Sequence, residues 1–163
     1  NSAPAYSEAI EALYSAAYTL KFMCKATLGR DYVVPPLEAL WWADDMSDFA
    51  ARKKDNWRWT AMIMIPDFAG PEMAGRAIAV ARSKKALPGL AIIRADLLRE
   101  GKCVQTLHIG SYDDEGPTLR RLHEEFLPQN GLSETGHHHE IYLSDPRKTE
   151  PVRLKTILRQ PVK

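Results

Sequence analysis

The chain has little that would place it in a membrane, on nucleic acid or around a metal. It contains only two cysteines, Cys24 and Cys103, far apart and not at metal-knuckle spacing. Two isolated thiols favour a reducing compartment over a disulfide-stapled secreted scaffold, so the reading is cytoplasmic. Its longest apolar runs, such as Ala61-Met62-Ile63-Met64-Ile65, are far too short to span a bilayer. No basic-then-apolar signal segment opens the chain. Neither charge sign dominates: 22 basic and 21 acidic residues give a formal charge of +1. That balance excludes a general attraction to nucleic acid or to an anionic membrane. Gly-rich phosphate loops, nucleophile elbows and paired-Cys zinc patterns are all absent, so neither cofactor nor metal is expected. The run His137-His138-His139 invites a metal reading, but strand alternation would split its side chains between two faces.

What is present is an ordinary globular composition. The chain has 163 residues, 45% hydrophobic and 26% charged. That is enough for one domain with a real core or for two fused small modules. The most informative stretch is His138-His139-Glu140-Ile141-Tyr142-Leu143-Ser144-Asp145-Pro146. From Glu140 it alternates, with Glu140 and Tyr142 on one face and Ile141 and Leu143 on the other, until the turn residues stop it. A second strand, within Pro36-Leu37-Glu38-Ala39-Leu40-Trp41-Trp42, also places a Glu among apolar and aromatic neighbours.

The remaining elements fall around these two. Ile10, Leu13, Ala17, Leu20 and Cys24 form one apolar stripe, predicting a helix from Ser7 to about Ala26, capped by Ser7 or begun earlier near Ser2 and Pro4. Asp31 to Trp42 reads as a strand interrupted by Pro35-Pro36. Ala43 to Asn56 reads as a connecting turn or partial helix, and Trp57 to Ile65 as the next strand. Gly70-Pro71-Glu72 opens a second helix reaching about Lys85, with charges matching the macrodipole. A hairpin is expected with arms Leu90–Leu98 and Cys103–Ile109. Pro117 starts a third helix ending near Gly131. The Glu140 strand, His138 to Ser144, follows, and a last strand runs from Val152 to about Gln160.

These elements repeat. A helix, the Glu38 strand and the Trp57–Ile65 strand make one unit. The strand Cys103–Ile109, a helix, the Glu140 strand and Val152–Gln160 make the other. The expected fold is therefore α+β, a single domain over 1–163 with halves 1–87 and 88–163. The first half lacks a leading strand, which fits a missing N-terminal segment. If the halves pair, Glu38 and Glu140 would line one concavity, with helices over the Ile141 and Leu143 side.

Each candidate site residue has a plain alternative. A strand Glu is most often a solvated surface residue, and Glu38 could simply guard a sheet edge. Trp41, Trp42, Trp57 and Trp59 are core residues by default, but Trp faces also stack on flat ligands and bind cations. Alternation puts Trp42 on the Glu38 face and Trp41 opposite. Trp57 and Trp59 share a face, with Met62, an adaptable packing residue, on the other. His108 falls on the more polar face of its strand with Val104 and Thr106, while Cys103, Leu107 and Ile109 read as helix-covered. Tyr112 follows at the strand end as a rim residue.

At Pro36-Leu37-Glu38-Ala39-Leu40-Trp41-Trp42, Trp57 to Phe68, Gly101 to Asp113, His139 to Arg147 and Leu154 to Arg159, the chain resembles the GyrI-like small-molecule-binding family. The resemblance covers nearly the whole chain. It implies two strand-helix-strand-strand modules with antiparallel sheets around a central ligand pocket, the first strand being missing from this chain. It also implies a binding module for hydrophobic, aromatic, often cationic small molecules such as drugs and toxins, held over a central Glu. Relatives include effector domains of drug-sensing transcription factors, and no helix-turn-helix is visible here. Some stand-alone members resemble hydrolases that open the cyclopropane ring of DNA-alkylating natural products. On the binding reading, Trp42, Trp59, Met62, His108, Tyr112 and Glu140 hold the ligand. On the hydrolase reading, Glu38, Glu140 and Tyr142 are catalytic. A protein-inhibitor or interaction domain using its edge strands is the third reading.

Overall fold

The structure is a computed structural model and describes residues 4–44 and 56–163. The connection expected between Ala43 and Asn56, and the cap expected near Ser2, lie largely outside these residues. The chain forms a mixed α+β fold with a five-stranded open antiparallel sheet. The elements fall into two compact units, residues 1–37 with 61–98 and residues 38–60 with 99–163. These are not the two halves 1–87 and 88–163, because the Glu38 strand and the start of its partner group with the later elements.

The first unit is built on two helices, α1 (Pro4–Leu28) and α2 (Gly70–Lys84). The buried face of α1 carries Ala12, Ala16, Leu20 and Cys24, one residue every four. Small residues dominate the facing α2 stripe too, with Ala74, Ala77 and Ala81 buried beside Met73 and Ile78. Alanines at a contact let two helices approach closely, and Cys24 Sγ lies 3.4 Å from Met73 Sδ in that seam. α2 begins with Pro71 and Glu72 and ends with Arg82 and Lys84, as its macrodipole favours.

Two strand expectations fail here for identifiable reasons. No strand forms at Asp31, where Lys21 (2.6 Å) and Lys25 (3.3 Å) of α1 hold its carboxylate and Lys21 also donates to the Tyr32 carbonyl. These contacts and Pro35-Pro36 delay the strand to Leu37. The expected hairpin arm Leu90–Leu98 does not form either. Pro88–Ala91 is a 3₁₀ turn, and Leu90 is buried against Ala12, Ala16 and Ala81. Arg82 clamps the turn by donating from Nε to the Leu90 carbonyl at 2.6 Å. With Leu90 committed to the helices, residues 93–102 run without helix or strand.

The second unit contains most of the sheet. Its strands are β1 (Leu37–Ala43), β2 (Trp57–Ile63), β3 (Cys103–Ile109), β4 (His138–Tyr142) and β5 (Lys155–Pro161), in the order β2-β1-β4-β5-β3. β3 therefore pairs with β5, not with a hairpin partner. The registers Glu140↔Leu158, Tyr142↔Thr156 and His108↔Thr156 put Glu140, Tyr142 and His108 on one face. His139, Ile141, Arg159 and Leu107 fall on the other.

A helical segment, α3 (residues 116–129), crosses the first face; its middle, Arg121–Phe126, is a π-helical turn. The side covered in β3 is thus the reverse of that expected. His108 is buried, its Nδ1 3.2 Å from Thr118 Oγ1 and its Nε2 3.1 Å from the Ser111 carbonyl. Leu107 and Ile109 are exposed. An alternating pattern marks two faces; it does not say which one a helix will cover, and two hydrogen bonds make His108 a good buried residue. The same limit applies to the Ile141 and Leu143 side, where Ile141 is buried but Leu143, just past the end of β4, is exposed.

Gly89 provides a sharp test of the first unit's packing. A β-carbon there would lie 2.8 Å from Ala12 Cβ and 3.1 Å from the Glu8 carbonyl oxygen, whereas one at Gly75 in α2 would meet nothing within 4 Å. Gly89→Ala is expected to lower unfolding stability by about 1–3 kcal/mol through overpacking. Gly75→Ala should raise it by roughly 0.5–1 kcal/mol through helix propensity. Urea titrations of both variants check the contrast; equal effects would contradict the close seating of the turn on α1.

Candidate functional site

Glu140 is nearly buried in β4, at 8% exposure. A carboxylate in that position needs partners, and alternation supplies them from its own strand. Tyr142, two residues on, donates its hydroxyl to Glu140 Oε2 at 2.7 Å. His138, two residues back, brings Nε2 to 3.4 Å from Glu140 Oε1. The neighbouring strand completes the row, because Trp41 Nε1–H of β1 donates to Tyr142 Oη at 2.9 Å. The phenol oxygen thus accepts from an indole and donates to a carboxylate.

Aromatic rings surround this chain of hydrogen bonds. Trp57 of β2 meets Trp41 edge-on at 5.9 Å, and Tyr112 meets Tyr142 edge-on at 5.7 Å. Trp41 is buried, while Trp57, Tyr112 and Tyr142 are half-buried. The expected rim residue Tyr112 therefore stands at the Glu140 cluster.

The opposite face of the same two strands carries a second polar cluster. His139 is 1% exposed, with Nε2 2.8 Å from Glu38 Oε2 and Nδ1 3.0 Å from Glu100 Oε1. Carboxylates only accept, so the imidazolium form of His139, with an N–H on each ring nitrogen, satisfies both contacts. Burial works against that charge, but the hydrogen bond His139 donates to Glu38 and the charge of Glu100 outweigh it and hold His139 above its ordinary range. Arg159 Nη1 reaches Glu100 Oε2 at 3.2 Å, and Arg159 Nε donates to Gln105 Oε1 at 2.9 Å. Two cations and two carboxylates balance. Trp42 lies on this face, stacked on His137 with ring centroids 4.3 Å apart.

The expectation of two carboxylates in one cavity is therefore corrected. Glu38 binds His139 and Glu140 binds Tyr142, and consecutive strand residues project to opposite faces. Trp42 goes with Glu38, away from Glu140. His108 has both nitrogens committed within the protein. Trp59 and Met62 are half-buried in β2, where Met62 falls in the first compact unit.

Trp41, His138, Glu100 and Arg159 are not among the site residues expected from the sequence. Alternation sets Trp41 on the face away from Glu38, but only the pairing of β1 with β4 shows that Tyr142 is there. Glu100 falls between the two arms of the expected hairpin, where a turn residue carries no site signal. Among the described residues, no group of three or more His, Cys, Asp or Glu side chains is arranged to hold a metal ion. No described helix is long and apolar enough to cross a membrane.

An α+β domain that sets a sheltered carboxylate and phenol among aromatic rings has the makings of a small-molecule receptor. The chain belongs to the GyrI-like small molecule binding domain family, whose sequence profile matches residues 4–163. Among solved structures, an uncharacterized conserved protein from Listeria innocua is 42% identical with a TM-score of 0.80, over 97% of this chain and 80% of that one. Two chains from the same organism described as hydrolases are also similar. One is 40% identical with a TM-score of 0.79, over 97% of this chain and 79% of its own. The other is 39% identical with a TM-score of 0.77, over 97% and 80%. No curated protein matches this chain.

The His139 cluster makes stability depend on pH with a definite sign. A histidine whose folded value is raised stabilises the fold fully below its unfolded value of about 6.5, and the contribution is lost as pH rises through the folded value. Wild-type stability, followed by urea unfolding from pH 6 to 9, is expected to fall in this window relative to His139→Gln. Parallel curves for the two proteins would show that His139 is not the imidazolium described.

Proposed function

We propose that the Glu140 face binds flat, aromatic, cationic small molecules, Glu140 acting as the counter-charge and the surrounding rings as the stacking surface. The observation that carries this reading is the nearly buried Glu140 carboxylate inside a set of tryptophans and tyrosines. At 4 Å a unit charge pair is worth about 1 kcal/mol in water and about 4 kcal/mol at the effective dielectric of a protein surface, so a sheltered carboxylate selects for cations. Aromatic faces add a cation–π contribution of about 0.5–2 kcal/mol. The family's small-molecule binding supports the class of ligand; the charge preference rests on Glu140.

A second reading, hydrolysis, is favoured by the two relatives described as hydrolases and by the 2.7 Å Tyr142–Glu140 pair. Its substrate would carry a strained cyclopropane conjugated to a carbonyl. Water's oxygen bonds to a ring carbon as the carbon–carbon bond breaks, and the electron pair passes to the carbonyl oxygen. Glu140 takes the water proton, Tyr142 gives its proton to that oxygen, and Trp41 N–H steadies the charge left on Tyr142. Return of the proton from Glu140 to Tyr142 across their hydrogen bond restores the site. Glu38, on the other face, takes no part.

Binding is tested with ethidium and its uncharged analogue phenanthridine. Glu140→Gln keeps the shape and is expected to weaken ethidium on the order of tenfold or more while changing phenanthridine little. Equal losses for both would assign Glu140 a steric role only.

Turnover is tested with a spirocyclopropyl cyclohexadienone, which water converts to a hydroxyethyl phenol. On the hydrolase reading Tyr142→Phe should slow product formation by roughly 10²–10⁴-fold, the usual worth of general acid–base help. Unchanged probe after incubation with the wild-type protein would leave binding as the function.

A further inference from the structure

The two polar clusters share the same two strands, and this links them. In β4, His139 and Glu140 are adjacent and face opposite ways. In β1, Glu38 and Trp41 are three apart and also face opposite ways. Glu38 ties β1 to β4 through His139 on one face, and Trp41 ties β1 to β4 through Tyr142 on the other. A slip of one strand along the other would strain both contacts together. The Trp41–Tyr142 bond, 2.9 Å long, is lost if its atoms part by more than about half an ångström.

We propose that Glu38, His139 and Glu100 form a proton-dependent clamp that positions the Trp41–Tyr142–Glu140 row for ligand, so that affinity falls when His139 loses its proton. Glu38 and His139 are on this view positioning residues and never touch the ligand. The inference rests on the reading that Glu140 is the ligand's counter-charge.

The chemistry of the clamp sets its direction. Protonated His139 donates to Glu38 and to Glu100 at once. Neutral imidazole has one N–H, so one carboxylate would then face a ring lone pair. Their side chains are only 13% and 12% exposed, leaving little water to replace the lost donor. On this face Glu38 supplies the polar tie from β1 to β4 through His139, beside the Trp42–His137 stack, so loss of that bond loosens the junction here. The other charged groups around the ring are few. Arg159 of β5 reaches Glu100 from beyond, and Gln105 of β3, which is neutral, accepts from Arg159. Burial first, and then Glu100, hold the Cys103 thiol above its ordinary range, so it stays neutral. His137 stacks on Trp42. In the neutral form that keeps its N–H on Nδ1 toward Glu100, none of these can supply the missing donor to Glu38.

Ethidium affinity of the full chain between pH 6 and 9 is the test, with circular dichroism confirming the fold at each pH. Wild-type affinity is expected to fall on the order of tenfold across this range, a usual size for coupling between two sites. Glu38→Gln is the decisive variant, because an amide can donate to the lone pair of neutral His139 while Glu100 accepts its N–H. It should retain the acid-side affinity at pH 9, a gain over wild type that a merely structural residue would not give. His139→Gln should flatten the profile. A Glu38→Gln profile that still falls as in wild type would overturn the clamp. Failure of the underlying reading looks different: Glu140→Gln would then leave ethidium affinity unchanged at every pH.

Discussion

The junction of β1 with β4 is the constraint on which the candidate site depends. It is fastened on both faces, by a carboxylate–imidazolium bond at Glu38 and His139 and by an indole–phenol bond at Trp41 and Tyr142. Neither bond is worth much alone, since a neutral hydrogen bond contributes about 1 kcal/mol and a buried ion pair barely offsets its desolvation. Their value lies in register. A one-residue slip would turn Glu140 to the His139 side and bring His139 to the Tyr142 side, leaving buried charges unpaired. Removing one partner of such a buried pair costs about 3–5 kcal/mol, so the wrong register is strongly disfavoured.

The rest of the second unit supports that junction. β5 lies next to β4 and carries Leu158 opposite Glu140, so an apolar side chain, not water, flanks the carboxylate. β3 closes the sheet edge, and His108 at its end fastens the strand to α3 through Thr118. Glu100 stands just before β3, which places its carboxylate at His139 and at Arg159 of β5. The first unit meets a different demand. Its seam of alanines brings two helices close, and Leu90 and Gly89 seal one end of it.

Much of the fold was legible in the sequence because periodicity reports element type directly. β3 has the bounds expected for it, and α2 lies within a residue of its expected end. The alternation of Glu140 and Tyr142 against Ile141, and of Glu38 and Trp42 against Trp41, also holds. Partners were not legible. Leu90–Leu98 has a plausible strand composition, but Arg82 and the alanine seam claim Leu90 for the helices. The same gap explains the two glutamates. Corresponding places in two half-chains implied a shared cavity, yet a facing direction is set by pairing register, which one sequence does not carry. Alternation does split His138 and His139 between faces; the partners that favour a charged His139, Glu38 and Glu100, are more than thirty residues away in either case.

On the proposed function, the face bearing Glu140, not the one bearing Glu38, receives the ligand. A crystal structure of the complex with ethidium tests this most directly. The expected result is a ring system stacked against the aromatic side chains about Trp41 and Tyr142, with its charged nitrogen at about 4 Å from Glu140. A ligand seated on the Glu38–His139 face, or distant from both carboxylates, would contradict it.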